Sequence, residues 1–168
     1  EILAGCTPEE RRTYDRRIQQ ALGARDGLGR LDRENRGGRW DVFGEDDPAE
    51  QLDRTAAALT ARGFRVVRVP YLGLPQSTLG QAEDPLPFVT YNNVLMESEG
   101  DRRVVHLPRY GLDRLDQAAQ DAYRSLGFEV RSVGDPIRVK RREVYPMLVV
   151  SARKGALRCL SQVLDRGT

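Results

Sequence analysis

Two stretches of this chain run in step: LDRTAAALTARGFRVVRVP at 52–70 and LDQAAQDAYRSLGFEVRSV at 115–133. Each opens on Leu-Asp, passes through an Ala-rich helical pattern, reaches Gly-Phe and continues into a Val-rich run. Gly63 and Phe64 recur as Gly127 and Phe128, a period of 64 residues. The glycine suits a helix C-terminus, where a left-handed residue closes the last turn. RVVRV and EVRSV have strand composition. A chain that repeats helix, glycine stop and strand folds as related units, and every further reading has to fit that frame.

A third copy of the helix lies at the start, in TPEERRTYDRRIQQALG at 7–23. Thr7 and Glu10 have capping-box spacing, and Pro8 falls at the first helical position, where its missing N–H costs nothing. Cys6, just before this start, reads as a small buried apolar residue. Short strand-like segments precede the helices: EILAG (1–5), RWDVFGE (39–45) and RVVHLP (103–108). FVTYNNVLME (88–97) reads as one more strand, joined to RVVHLP through a hairpin turn in ESEGDR. The unit is therefore ββαβ. A further unit begins at the tail, with YPMLVV (145–150) as a strand, then GALRCLSQVL (155–164). Aligned on Val-Leu, RCLSQVL lies over VTYNNVL, which sets Ser161 on Asn92, Gln162 on Asn93 and Cys159 on Thr90. Periods above 50 residues argue against an open solenoid and for units closed around a central axis, with equivalent strands lining one cavity.

Hydrophobic residues make up 39% of the chain and charged residues 31%, the balance of a soluble globular α/β protein. No apolar run approaches the roughly 20 residues of a membrane span. The net charge of +2 gives no footprint for nucleic acid, and the densest basic run, RVKRRE at 138–143, reads as a solvated turn. Two distant cysteines make no metal motif and favour a reduced, cytoplasmic protein. EILAG lacks a starting Met and the layout of a signal peptide, so the sequence reads as beginning inside a longer polypeptide.

FVTYNNVLMESEGDRRVVHLPRYGLDRLDQAAQDAYRSLGFEVRSV, followed by GALRCLSQVL, resembles the C-terminal half of the pentein superfamily. That superfamily holds agmatine, arginine and peptidylarginine deiminases, dimethylarginine hydrolases and amidinotransferases. In it a Y-x-N strand, a V-x-V-P strand, a Leu-Asp helix and a terminal G-x-x-x-C strand follow in this order. The likeness covers residues 50–168 well and 1–49 loosely. It implies a pentein-type α/β propeller of ββαβ units, incomplete here, with residues 1–168 as a single domain of about three units.

The resemblance also implies chemistry. Cys159 stands where those enzymes keep their nucleophile. A guanidinium carbon is a poor electrophile because its charge is spread over three nitrogens. A thiolate attacks it once carboxylates orient and localise that charge, so a thiol of ordinary pKa about 8.5 has to ionise. Histidine shuttles the protons, and two carboxylates clamp the guanidinium. The implied function is a thiol-dependent deiminase of a guanidino compound, such as an arginine or agmatine derivative. An amidinotransferase is the alternative on the same fold. The substrate is a small molecule, no cofactor or metal is required, and a homo-oligomer stays open.

The pattern departs from the family at one point. The only histidine, His106 in VVHLP, occupies a position that is aliphatic in the family and reads as structural or surface. Measured against the repeat, about 23 residues are missing between Ala24 and Gly37, where the family keeps its histidine strand. An omitted segment, a truncated fragment and a non-catalytic member of the fold all account for this. Asp46 and Asp47 read as solvated loop acids, Asp41 as no clamp residue, and Asp53 and Asp116 as helix-start acids favoured by the dipole. Asn92 and Asn93 are the candidate substrate-binding residues, able either to meet the substrate's polar end or to tie down backbone. Residues 72–87 are an open choice between a substrate lid and a connector. Besides the enzyme, a binding or scaffold module of the same fold and an unrelated α/β domain with a duplicated βαβ unit remain as readings.

Overall fold

Helix α1 (Pro8–Leu22) begins as the sequence dictates. The Thr7 amide donates to Glu10 Oε2 at 2.7 Å, and the Glu10 amide donates to Thr7 Oγ1 at 3.2 Å, a closed capping box. One turn apart on the inner face, Tyr14 and Ile18 enter the core. This is a computed structural model, and it describes residues 2, 5–22, 48–73, 87–152 and 156–158.

Helix α2 (Pro48–Ala61) and the short strand β1 (Tyr71–Gly73) come next. Strand β2 (Pro87–Thr90) pairs antiparallel with β1. Strands β3 (Leu95–Glu99) and β4 (Arg102–Pro108) form an antiparallel hairpin closed by two residues, with Gly100 at φ +56°. Helix α3 (Asp113–Ser125) then returns the chain to β5 (Glu129–Val133), which lies parallel to β4. Residues 95–133 thus realise the ββαβ unit. Strands β6 (Ile137–Val139) and β7 (Arg142–Val144) make a second tight hairpin, and α4 (Pro146–Ala152) follows. The described residues form a mixed α/β structure of small sheets and four helices, without a closed barrel among them.

The 64-residue repeat is visible at atomic level where two helices end. After α2 the Phe64 amide donates to the Leu59 carbonyl at 3.1 Å and the Gly63 amide to the Thr60 carbonyl at 2.9 Å. After α3 the Phe128 amide donates to Tyr123 at 3.2 Å and the Gly127 amide to Arg124 at 2.9 Å. Gly63 and Gly127 sit at φ +84° and +82°. Both ends are the same Schellman closure, which requires a left-handed residue in this place.

The surroundings of the two copies differ. Leu115, Ala119 and Tyr123 bury one face of α3, whereas Leu52 and Leu59 on α2 are 53% and 38% exposed. The run 65–69 after α2 is not a strand, unlike its counterpart β5. A strand needs a ladder: β5 takes its ladder from β4, and the counterpart of β4, RWDVFGE, lies outside the described residues.

Three other expectations are corrected. YPMLVV is not a strand; Tyr145 precedes α4, whose first residue is Pro146, and the Leu148 and Val149 amides bond back to the Tyr145 carbonyl. Proline preset for a first helical turn decides a short apolar run that periodicity leaves ambiguous. FVTYNNVLME is two strands interrupted by a bend at 91–93. Asp53 lies inside α2, not at its start, and pairs with Arg68 at 2.6 Å. EILAG is described only at Ile2, in a turn, and at Gly5. RVKRRE is exposed as expected, but only Lys140 and Arg141 form the turn, and the residues on either side belong to β6 and β7.

The core gathers around α3 and β4. Val105 and Leu107 from β4, Val89 from β2, Tyr14 and Ile18 from α1, and Met147 and Leu148 from α4 meet Leu112, Leu115 and Tyr123. Leu157, near the end of the described chain, belongs to the same cluster. That burial brings the tail toward the bend at 91–93.

Candidate functional site

The bend between β2 and β3 is built on tyrosines. Tyr91 is fully buried and meets Tyr110 edge to face, with ring centroids 5.2 Å apart. Its carbonyl accepts a hydrogen bond from the Tyr123 hydroxyl at 2.8 Å, and the Thr90 carbonyl accepts one from the Tyr110 hydroxyl at 3.0 Å. Two backbone carbonyls where the ladder stops are thus satisfied by phenols from the next loop and from α3, as buried backbone requires. The Thr90 hydroxyl donates to Asn92 Oδ1, which turns the chain locally.

Asp116 holds the centre. It is 5% exposed, and its carboxylate accepts three bonds: the Tyr91 hydroxyl at 2.6 Å and the Tyr110 amide at 3.0 Å on Oδ1, and the Gly111 amide at 2.9 Å on Oδ2. Burial raises the Asp116 carboxyl pKa, against the lowering effect of those three donors. The Tyr91 phenol is pushed upward by burial and by the neighbouring carboxylate, and Tyr110 rises to about 12, mainly by burial. Each tyrosine therefore stays a neutral donor at physiological pH. A short phenol-to-carboxylate bond of this kind is among the stronger hydrogen bonds a protein makes.

Asn93 completes the arrangement. Its Oδ1 accepts the backbone amide of Arg158 at 2.7 Å, across 65 positions of sequence. Ala156 and Leu157 are buried beside that tie, so two apolar side chains and one hydrogen bond fix the chain immediately before position 159. Of the two candidate asparagines, Asn93 is half-buried and ties down backbone, while Asn92 is exposed. Cys159 itself lies outside the described residues, as do Ser161, Gln162, Asp41, Asp46, Asp47 and the stretches 24–37 and 74–86.

His106 is half-buried on β4, and its Nε2 stands 2.9 Å from Glu97 Oε1 on β3, across the hairpin. Cys6 is half-buried against the core with its pKa raised by burial, a poor thiolate. Among the described residues no group of His, Cys, Asp or Glu is placed to hold a metal ion, and no helix is long and apolar enough to cross a membrane.

Asp116 lies in the first turn of α3, as expected of a helix-start acid, but its carboxylate serves Tyr91, Tyr110 and Gly111 rather than the helix amides. The signal was present: Leu112, Leu115, Ala119 and Tyr123 trace the inward stripe of α3, and position 116 falls on that stripe. An acid on an apolar stripe announces buried donors. No protein-family model, no curated protein and no solved structure matches this chain.

Proposed function

We propose that this chain carries the nucleophile of a guanidine-modifying enzyme built as a pentein-type ring of ββαβ units. The observation that supports the reading is the bond from the Arg158 amide to Asn93 Oδ1. It joins the Tyr-x-Asn bend to the residue preceding Cys159, two motifs that the resemblance brings to one cavity. The shared helix closures at a period of 64 support the ring.

In this reading the Cys159 thiolate attacks the central carbon of a guanidinium and a C–S bond forms. The tetrahedral adduct loses one nitrogen as ammonia, which leaves with a proton from a general acid, and a thiouronium remains. Water then adds to that carbon, the C–S bond breaks, the thiolate returns, and the product is the corresponding urea. An amine in place of water makes the same intermediate an amidino donor. The exposed Asn92 meets the polar end of the substrate, while Asn93 holds the segment before Cys159 through the Arg158 amide. His106 is not assigned the general-acid role, since Glu97 holds its Nε2.

A non-catalytic module of the same fold is favoured by one feature of the bend: Thr90, Tyr91 and Asn93 all spend polar groups on bonds within the chain. Intact-mass spectrometry of the full chain with 2-chloroacetamidine separates the two readings. A single adduct on Cys159, suppressed by arginine or agmatine and absent in Cys159→Ala, supports the enzyme, and a urea product from either compound identifies a deiminase. A chain that stays unlabelled under conditions that label free cysteine is the binding module.

A further inference from the structure

We infer that Asp116 is a positioning residue for the segment that delivers Cys159, acting through Tyr91 and the bend that carries Asn93. The inference deepens the guanidine-enzyme reading and rests on it for its catalytic consequence.

Three features of this carboxylate carry that role. The first is satisfiability. The groups pointing at Asp116 are an amide N–H from Tyr110, an amide N–H from Gly111 and the phenolic O–H of Tyr91. All three are donors, and an ionised carboxylate is the one side chain that offers acceptors alone. Asparagine of the same shape turns an NH₂ toward one of these donors.

The second is topology. Asp116 sits on α3, Tyr110 and Gly111 lie in the loop between β4 and α3, and Tyr91 lies in the bend after β2. One buried group therefore locks a helix, its entry loop and a distant bend into a single arrangement. A capping acid on the first turn serves its own helix amides; this one serves none of them.

The third is the route outward. Tyr91 is clamped at both ends, by Asp116 at its hydroxyl and by the Tyr123 hydroxyl at its carbonyl. Two residues on, Asn93 Oδ1 receives the Arg158 amide at 2.7 Å. The path from Asp116 to the peptide preceding Cys159 is short: the bond to the Tyr91 hydroxyl, the backbone from Tyr91 to Asn93, and the bond from the Arg158 amide to Asn93. The donors on Asp116 come from Tyr91, Tyr110 and Gly111, so its effect on chemistry runs through the placement of the segment before Cys159.

The experiment uses the full chain, with Tyr91→Phe and Asn93→Leu as the gentle variants and Asp116→Asn as the severe one. Leu148→Ala serves as a control that loosens the same core without removing a hydrogen bond of the relay. The first readout is hydrogen exchange of the Arg158 amide. Losing the support of one hydrogen bond is expected to speed that exchange about tenfold in Tyr91→Phe and Asn93→Leu, beyond the change in Leu148→Ala at matched global stability. The second readout compares alkylation of Cys159 by 2-chloroacetamidine and by neutral iodoacetamide. The amidine rate is expected to fall about tenfold in Tyr91→Phe while the iodoacetamide rate moves less than about twofold. Arg158 exchange in Tyr91→Phe that merely tracks the control overturns the positioning role, whatever the chemistry at Cys159. Faster exchange, together with a wild-type Cys159 that shows no preference for the amidine, supports the relay and overturns the guanidine reading instead.

Discussion

Phe64 and Phe128 close their helices with the same hydrogen bond, 3.1 and 3.2 Å long, yet only Phe128 is covered. Phe128 lies edge to face with Tyr123 at 6.1 Å, and the Arg103 guanidinium stands 5.1 Å above its ring. Phe64 is 61% exposed. Local sequence makes the closure, and tertiary packing decides whether the phenylalanine after it contributes to stability.

Replacing each by alanine separates the two effects. Phe128→Ala is expected to cost about 2 kcal/mol in urea unfolding, below the 3–5 of a fully buried ring because this one is half-exposed. Phe64→Ala is expected to stay within about 0.5 kcal/mol, as for surface substitutions generally. Equal losses mean that Phe64 is covered in solution.

What the sequence made legible, and what it hid, follows from the range of the forces involved. The capping box at Thr7 and Glu10, the glycine stops at 63 and 127, and the hairpin at Gly100 are decided within four residues, and each formed as read. YPMLVV failed because six apolar residues fill a buried helix as well as a buried strand. The Tyr91–Asn93 bend was read as continuous strand because, beyond the local Thr90–Asn92 bond, the hydroxyls that satisfy its carbonyls, on Tyr110 and Tyr123, lie 20 and 32 positions away. Asp116 was placed correctly in the first turn of α3, but its buried role was hidden for the same reason. Its donors come from two segments outside α3, and helix-dipole arguments do not see them.

The β6–β7 hairpin turns on Lys140 and Arg141, at φ +46° and +67°. Both central positions of this two-residue turn are left-handed, the pattern that favours Asn-Gly. Left-handed backbone costs an ordinary residue roughly 1 kcal/mol. The double substitution Lys140→Asn with Arg141→Gly is therefore expected to stabilise the protein by about 1 kcal/mol, read as a higher urea midpoint at unchanged slope. A lower midpoint means that the two long side chains make stabilising contacts.

Gly111 faces a harder limit. It sits at φ +75°, and a Cβ placed on it falls 2.5 Å from the Tyr145 ring carbons Cδ2 and Cε2. Its own carbonyl accepts from Arg17, whose guanidinium lies 4.6 Å from the same ring's centroid. Gly111→Ala combines backbone strain with overpacking and is expected to cost about 3 kcal/mol or more. Adding Tyr145→Ala removes the ring, Cγ included, and leaves the backbone strain. The double variant should therefore lose less than the sum of the two single losses, a coupling that a double-mutant cycle measures directly.

Glu10 gives the pH test. It serves the capping box and also accepts from the Arg114 guanidinium at 2.9 and 3.1 Å, linking α1 to the first turn of α3. The Arg114 bonds, with the Thr7 bonds behind them, lower its pKa from 4.5 to about 2. A carboxyl with a depressed folded-state pKa stabilises the fold above its unfolded value, and that contribution is lost as pH falls through the folded one. The Glu10 share of stability is therefore complete above pH 4.5 and disappears between about pH 4.5 and 2. Both partners are partly exposed, so salt shrinks the effect. In thermal melts from pH 6 to 2, wild type is expected to lose more melting temperature across that window than Glu10→Gln, which keeps a side chain able to cap. Parallel curves for the two proteins would show that Thr7 and Arg114 gain nothing from the charge, and the link between α1 and α3 would then rest on Tyr14, whose hydroxyl accepts the Arg114 amide at 3.0 Å, and on Arg17, 3.3 Å from Asp113.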